Sequence, residues 1–96
     1  MEKSENIRTQ ILNKAAAIVS GERQENYGTP EDNFNRIADL WSIYLEMPMQ
    51  LTAADMAAMM VLFKVARLNN GTGTMDTWID MAGYAACGGE VDHERK

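Results

Sequence analysis

Apolar residues recur along this chain every three or four positions in four separate blocks, and nowhere do β-branched residues alternate long enough for a strand. Each block has the period of a helix. In the first, over 5–20, Ile7, Ile11, Ala15 and Ile18 form a single inward stripe behind Ser4 as N-cap, and Gly21 follows the end. The second opens with Thr29-Pro30-Glu31-Asp32. Thr29 caps, Pro30 takes the first helical position, and the acids meet the positive end of the helix dipole. Phe34, Ile37, Ala38, Trp41 and Leu45 are expected to face inward over 30–46, and Met47-Pro48 stops the helix because a residue before proline avoids helical geometry. The third, over 53–68, starts with the capping-box pattern Thr52-Ala53-Ala54-Asp55. Its apolar residues from Met56 to Leu68 cover nearly the whole circumference, as in a central helix or one buried against a second subunit. The fourth runs over 75–87, with Gly88-Gly89 expected to end it and 90–96 expected to fray as a polar, disordered tail. These elements predict an all-α four-helix bundle in one domain over 1–89.

Charge narrows the classes of partner. Nine Lys+Arg against fourteen Asp+Glu leave a net charge of −5 on 96 residues, which argues against long nucleic acid but leaves small phosphorylated ligands open. A single cysteine, Cys87, an N-terminus without an apolar run and no stretch of membrane-spanning length predict a cytoplasmic protein with no membrane partner. A domain this small buries only about 60 to 65% of its unfolded surface, a motive for completing the bundle as a homo-oligomer.

Few residues stand out as candidates for chemistry. Lys64 and Arg67 sit three apart on an otherwise apolar helix and are the only cations between Arg36 and Arg95. Cations near a helix C-terminus also favour its dipole and cover apolar surface with their stems, so a structural role stands beside phosphate binding or pairing with the next helix. Asp55 points nearly opposite to Lys64 at about 100° per residue. Asp76 and Asp80 lie one turn apart, with Gly83 and Cys87 continuing their face and Tyr84 beside it. Two such carboxylates repel unless a cation, a helix N-terminus or a divalent ion intervenes, and a salt bridge is the simpler answer. Gly83 inside a helix suggests close approach of another helix. Arg23 and Tyr27, in the loop before the second helix, are of the types that stack on a nucleobase, although Tyr27 is equally suited to roofing the core. Gly71-Thr72-Gly73-Thr74 has the look of an anion nest but is followed at once by Asp76 and lacks the lysine of a P-loop. The methionines read as packing, and neither His93 nor Cys87 has a visible catalytic neighbour.

The combination Arg23-x-x-x-Tyr27-Gly28-x-x-Glu31-x-Asn33-Phe34, then Asp55 with Met59-Met60, Lys64-Val65-Ala66-Arg67-Leu68 and Asp76-x-Trp78-x-Asp80-x-Ala82-Gly83-Tyr84 resembles a group of small uncharacterised phage and prophage proteins. Its order of elements is similar to the nucleotide-modification-associated phage domains and, more distantly, to the MazG-like all-α nucleotide pyrophosphohydrolases. The resemblance implies a helical oligomer that takes nucleotides or nucleotide-derived molecules. Lys64 and Arg67 would then engage phosphate, Tyr27 and Trp78 would flank a base, and Asn33, Asp76, Asp80 and Tyr84 would complete the polar wall, with no cofactor required. MazG-like enzymes hold magnesium with Glu-Glu-x-x-Glu and Glu-x-x-Asp clusters, which this chain lacks. Binding, including sequestration of a nucleotide immune signal in the host bacterial cytoplasm, therefore fits the residues better than turnover. The enzyme alternative places Mg²⁺ on Asp55, Asp76 and Asp80 to cleave a nucleoside triphosphate, and a third reading is a non-enzymatic helical scaffold or adaptor.

Overall fold

A computed structural model describes residues 6–21, 29–69, 71 and 73–95. Four helices make up the described fold: α1 (Ile7–Ser20), α2 (Pro30–Tyr44), α3 (Ala53–Asn69) and α4 (Met75–Arg95). No strand occurs among the described residues, so the protein is all-α. No described helix is long and apolar enough to cross a membrane.

Capping chemistry sets the helix starts. Asn6, not Ser4, caps α1, its side chain accepting from Thr9 N at 2.8 Å; Ser4 lies outside the described residues. Thr29 Oγ1 accepts from Asp32 N at 3.2 Å, with Pro30 in the first turn. At α3 the expected box closes reciprocally: Thr52 N donates to Asp55 Oδ2 at 2.9 Å and Asp55 N to Thr52 Oγ1 at 3.0 Å. Thr77 Oγ1 accepts from Thr74 N at 3.2 Å in the first turn of α4.

The end of α2 comes before the proline has any say. Glu46 N donates to Ile43 O and Met47 N to Ser42 O, while Glu46 adopts φ 52°. This is a Schellman closure, built here on a glutamate where glycine is usual. Ser42, buried at the end of the inner stripe, accepts from Leu51 N through Oγ at 2.9 Å and ties the following loop back to the helix.

The core is small. Phe34, Ala38, Ala53, Met56, Ala57 and Val91 form its buried cluster, and Met56 is the one large side chain wholly enclosed among the described residues. α3 and α4 share the most extensive contact, α1 lies against α4, and α2 packs on α3. The body measures 57 × 31 × 25 Å with a radius of gyration of 15.1 Å, against about 12–13 Å for a compact chain of this length.

Three expectations need correction. α4 does not stop at Gly88-Gly89; it continues to Arg95, so 90–95 is helix and not a frayed tail. The reason is packing. A Cβ on Gly88 would come within 2.7 Å of Ala57 Cβ, so the glycine lets α3 and α4 touch, and Val91, 3% exposed, anchors the turn beyond. At Gly83 an added Cβ would sit 3.4 Å from Val19 Cγ1, so the tightest helix approach belongs to Gly88. The inner face of α2 is Phe34, Ala38 and Ser42, whereas Trp41 and Leu45 are 39% and 51% exposed. Likewise Ile7 and Ile18 of α1 stand largely in solvent, leaving Ala15 as that helix's buried contact.

Candidate functional site

α3 and α4 bring Lys64 and Asp80 together: Nζ lies 3.0 Å from Asp80 Oδ2, with side chains 17% and 40% exposed. The helical hairpin makes this possible because the two residues stand on either side of the turn that joins α3 to α4. A cation and a carboxylate in direct contact at a partly covered site neutralise one another, and each keeps hydrogen-bonding capacity for a ligand. Lys64 Nζ also lies 5.6 Å from the ring centroid of Phe63, within cation–π range.

Behind that pair opens a concavity of about 530 Å³ between α1 and α4, lined by Lys14, Ala17, Ile18, Asp76, Ile79 and Asp80. Its walls follow directly from helix period. Lys14, Ala17 and Ile18 are spaced i, i+3, i+4 on α1, and Asp76, Ile79 and Asp80 repeat that spacing on α4, so each helix contributes one face that mixes charged and aliphatic side chains. The carboxylate pair Asp76 and Asp80 does border one hollow; Lys64 touches Asp80, and Lys14 shares the wall. Lys14 does not stand out in the sequence. It lies within a helix whose neighbours read as an inward stripe, and it enters the wall only through the way α1 lies on α4.

The remaining candidates are scattered. Arg67 is exposed in the last turn of α3 and is not among the residues lining the hollow. Tyr84 is half-buried against the core, its ring 6.3 Å from that of Phe34 and tilted by 47°. Trp78 is 49% exposed; two residues from both Asp76 and Asp80, it falls on the opposite side of α4. Asn33 is half-buried in the first turn of α2, a helix that contributes nothing to the hollow. Arg23 and Tyr27 lie outside the described residues, as does Thr72 of the suspected anion nest.

Asp55 caps its own helix through Oδ2, away from Asp76 and Asp80. Among the described residues no three His, Cys, Asp or Glu side chains gather so as to hold a metal ion. The set Asp55, Asp76 and Asp80 therefore does not assemble within one chain. A Mg²⁺ site of the usual all-oxygen kind does not fit these residues in a single copy. His93 is exposed on α4, and Cys87 packs at the edge of the core.

Comparison with known proteins places these residues in a lineage. Residues 10–92 match the model of a domain of unknown function, DUF6378. The chain is similar to the Gene 55 protein of Mycobacterium phage D29, 47% identical over 78 residues, which is 80% of this chain and 50% of that protein. Its similarity to the Gene 55 protein of Mycobacterium phage L5 is 41% over 75 residues, 78% of this chain and 47% of the other. The chain thus spans about half the length of the curated relatives it matches. No solved structure matches it.

Proposed function

The chain belongs to the DUF6378 family, whose matched relatives are phage proteins, and on that premise we propose that it is an oligomeric binding module for a nucleotide or nucleotide-derived signal, acting in the host bacterial cytoplasm by sequestration. The observation that carries this reading is the hollow between α1 and α4, lined by the charged Lys14, Asp76 and Asp80 and the aliphatic Ala17, Ile18 and Ile79. Its volume of about 530 Å³ falls within the range of small-molecule sites, about 300–1,000 Å³. The aliphatic side chains suit one face of a base. Lys14 and Lys64 suit phosphate, and the carboxylates suit the amino and hydroxyl groups of base and sugar. Because Asp80 already holds Lys64, an incoming phosphate displaces or shares that contact, which favours a ligand with donors for the released carboxylate over a bare anion.

A MazG-like arrangement remains the architectural model for this reading, with the bundle completed between copies. The Mg²⁺-dependent pyrophosphohydrolase alternative would require carboxylates from more than one copy, since Asp55 stands apart from the pair on α4. The scaffold alternative has a specific observation in its favour: the Lys64–Asp80 contact is sufficient as a structural link between α3 and α4.

A thermal-shift screen of nucleotides and cyclic dinucleotides, with and without Mg²⁺, separates the three. A ligand at about 100 times its dissociation constant adds about 2.7 kcal/mol, which for a domain of this size raises Tm by about 10 °C or more. Binding predicts such a shift, lost in Lys14→Ala and reduced in Asp76→Asn, with the ligand recovered intact by chromatography. Pyrophosphate release would establish the enzyme instead. A flat response across the whole panel would leave the scaffold.

A further inference from the structure

α2 has two apolar faces, and its own chain covers only one. Phe34, Ala38 and Ser42 mark the inner line. About 180° around the helix, Leu40, Ile43 and Tyr44 are 62%, 76% and 84% exposed. Arg36, Leu40 and Ile43 follow one another at intervals of four and three, the spacing of a seam between two helices. On that face Leu40, Ile43 and Tyr44 expose apolar surface on the order of 400 Å², about half the share each partner brings to a standard-size interface and comparable to the largest patch of an ordinary monomer.

We propose that this outer face of α2 pairs with the same face of a second copy of the chain, antiparallel, about a twofold axis close to Leu40 and Trp41. Two features select that occupant. Among the described residues the core is slight, with Met56 its one large, wholly enclosed side chain, and a partner present whenever the chain folds would add burial. A second copy meets that condition. The face is also self-complementary in charge. Arg36 precedes the apolar residues and Glu46 follows them, both exposed. A twofold axis near residue 41 sets Arg36 opposite Glu46 of the partner subunit and beside the negative end of that helix. Parallel pairing would set arginine against arginine and align the dipoles, so it is disfavoured.

The proposal rests on the oligomeric part of the reading above and not on the ligand. Its test is the mass of the full chain by light scattering at tens of micromolar, where a dimer or an even multiple is expected. Ile43→Glu/Tyr44→Glu should raise the dissociation constant about a hundredfold or more and give a monomer with helical circular dichroism. Arg36→Glu alone should weaken pairing about tenfold, and Arg36→Glu/Glu46→Arg should recover most of that loss. Should the glutamate variant fail to fold, Leu40→Cys under mild oxidation tests the same pairing, because a residue near the axis meets its own copy. It should yield a covalent dimer on a non-reducing gel, whereas Leu62→Cys, equally exposed but on α3, should not. A monomeric wild-type chain overturns the proposal, as does an unchanged mass for the glutamate variant or a crosslink through Leu62 in place of Leu40. A monomer that still shows a nucleotide thermal shift overturns the pairing and keeps the ligand reading; a dimer blind to every nucleotide does the reverse.

Discussion

Gly88→Ala offers the sharpest test of the packing because its neighbour in sequence is a built-in control. In a helix interior, alanine is better than glycine by about 0.8–1 kcal/mol. At Gly89 nothing lies within 4 Å of the added methyl, so Gly89→Ala should collect that gain in full. At Gly88 the methyl would stand 2.7 Å from Ala57 Cβ, about 1 Å closer than two carbons tolerate. Neither atom can swing away, since both are Cβ atoms fixed to helix backbones, so α3 and α4 must part along their most extensive contact. Overpacking of this kind costs about 1–3 kcal/mol, which outweighs the propensity gain. The net expectation is about 1 kcal/mol of destabilisation at Gly88 against nearly 1 kcal/mol of stabilisation at Gly89. At about 4–8 °C per kcal/mol for a domain of this size, the two variants should melt about 8–16 °C apart on opposite sides of wild type, followed by circular dichroism at one fixed chain concentration. Ala57→Gly in the Gly88→Ala background should recover part of the loss. Equal stabilisation by the two alanines would refute the close crossing, and with it the account of why α4 passes through two glycines.

Other outcomes follow from the same coordinates. Val91→Ala should cost about 1–2 kcal/mol in urea unfolding, since the side chain is 3% exposed and its loss leaves a gap under the last turns of α4; a neutral effect would restore the frayed tail. Ser42→Ala strands the Leu51 amide now held at 2.9 Å and should destabilise by about 1–2 kcal/mol, with Ser42→Thr milder than Ser42→Val. A double-mutant cycle on Lys64→Met and Asp80→Asn should give a coupling of about 1 kcal/mol or less, because the pair is partly solvent-exposed. That coupling should shrink in 1 M salt, and a repulsive coupling, or an attractive one well above 1 kcal/mol that ignores salt, would refute a partly exposed ion pair here.

Much of the fold is legible in the sequence because its boundaries are local chemistry. Thr29-Pro30 and the reciprocal bonds of Thr52 and Asp55 act within one turn, so their pattern in the sequence suffices. Gly88 misleads for the opposite reason. Glycine after an apolar run marks a helix end in isolation, and only the presence of Ala57 on another helix turns it into a packing contact. Trp41 and Leu45 read as inward because aromatic and aliphatic residues usually are, whereas the small Ser42 holds the inner line and turns them out. The link between Lys64 and Asp80 is within reach of the sequence, since cation and acid flank a short hairpin. The contribution of Lys14 is not, because it depends on how α1 lies across α4, a choice settled by packing and invisible in either helix alone.

The cigar-like outline of the fold bears on how any assembly is read. A body 57 Å long and 25 Å thin meets more hydrodynamic friction than a sphere of equal weight, so a lone chain leaves a sizing column early, as though it were heavier. Two chains laid side by side along those long axes would be the rounder particle, eluting nearer to a compact globule of their combined weight. Column calibration against spheres therefore errs in opposite directions for the two species, slightly compressing the gap between one chain and two without closing it.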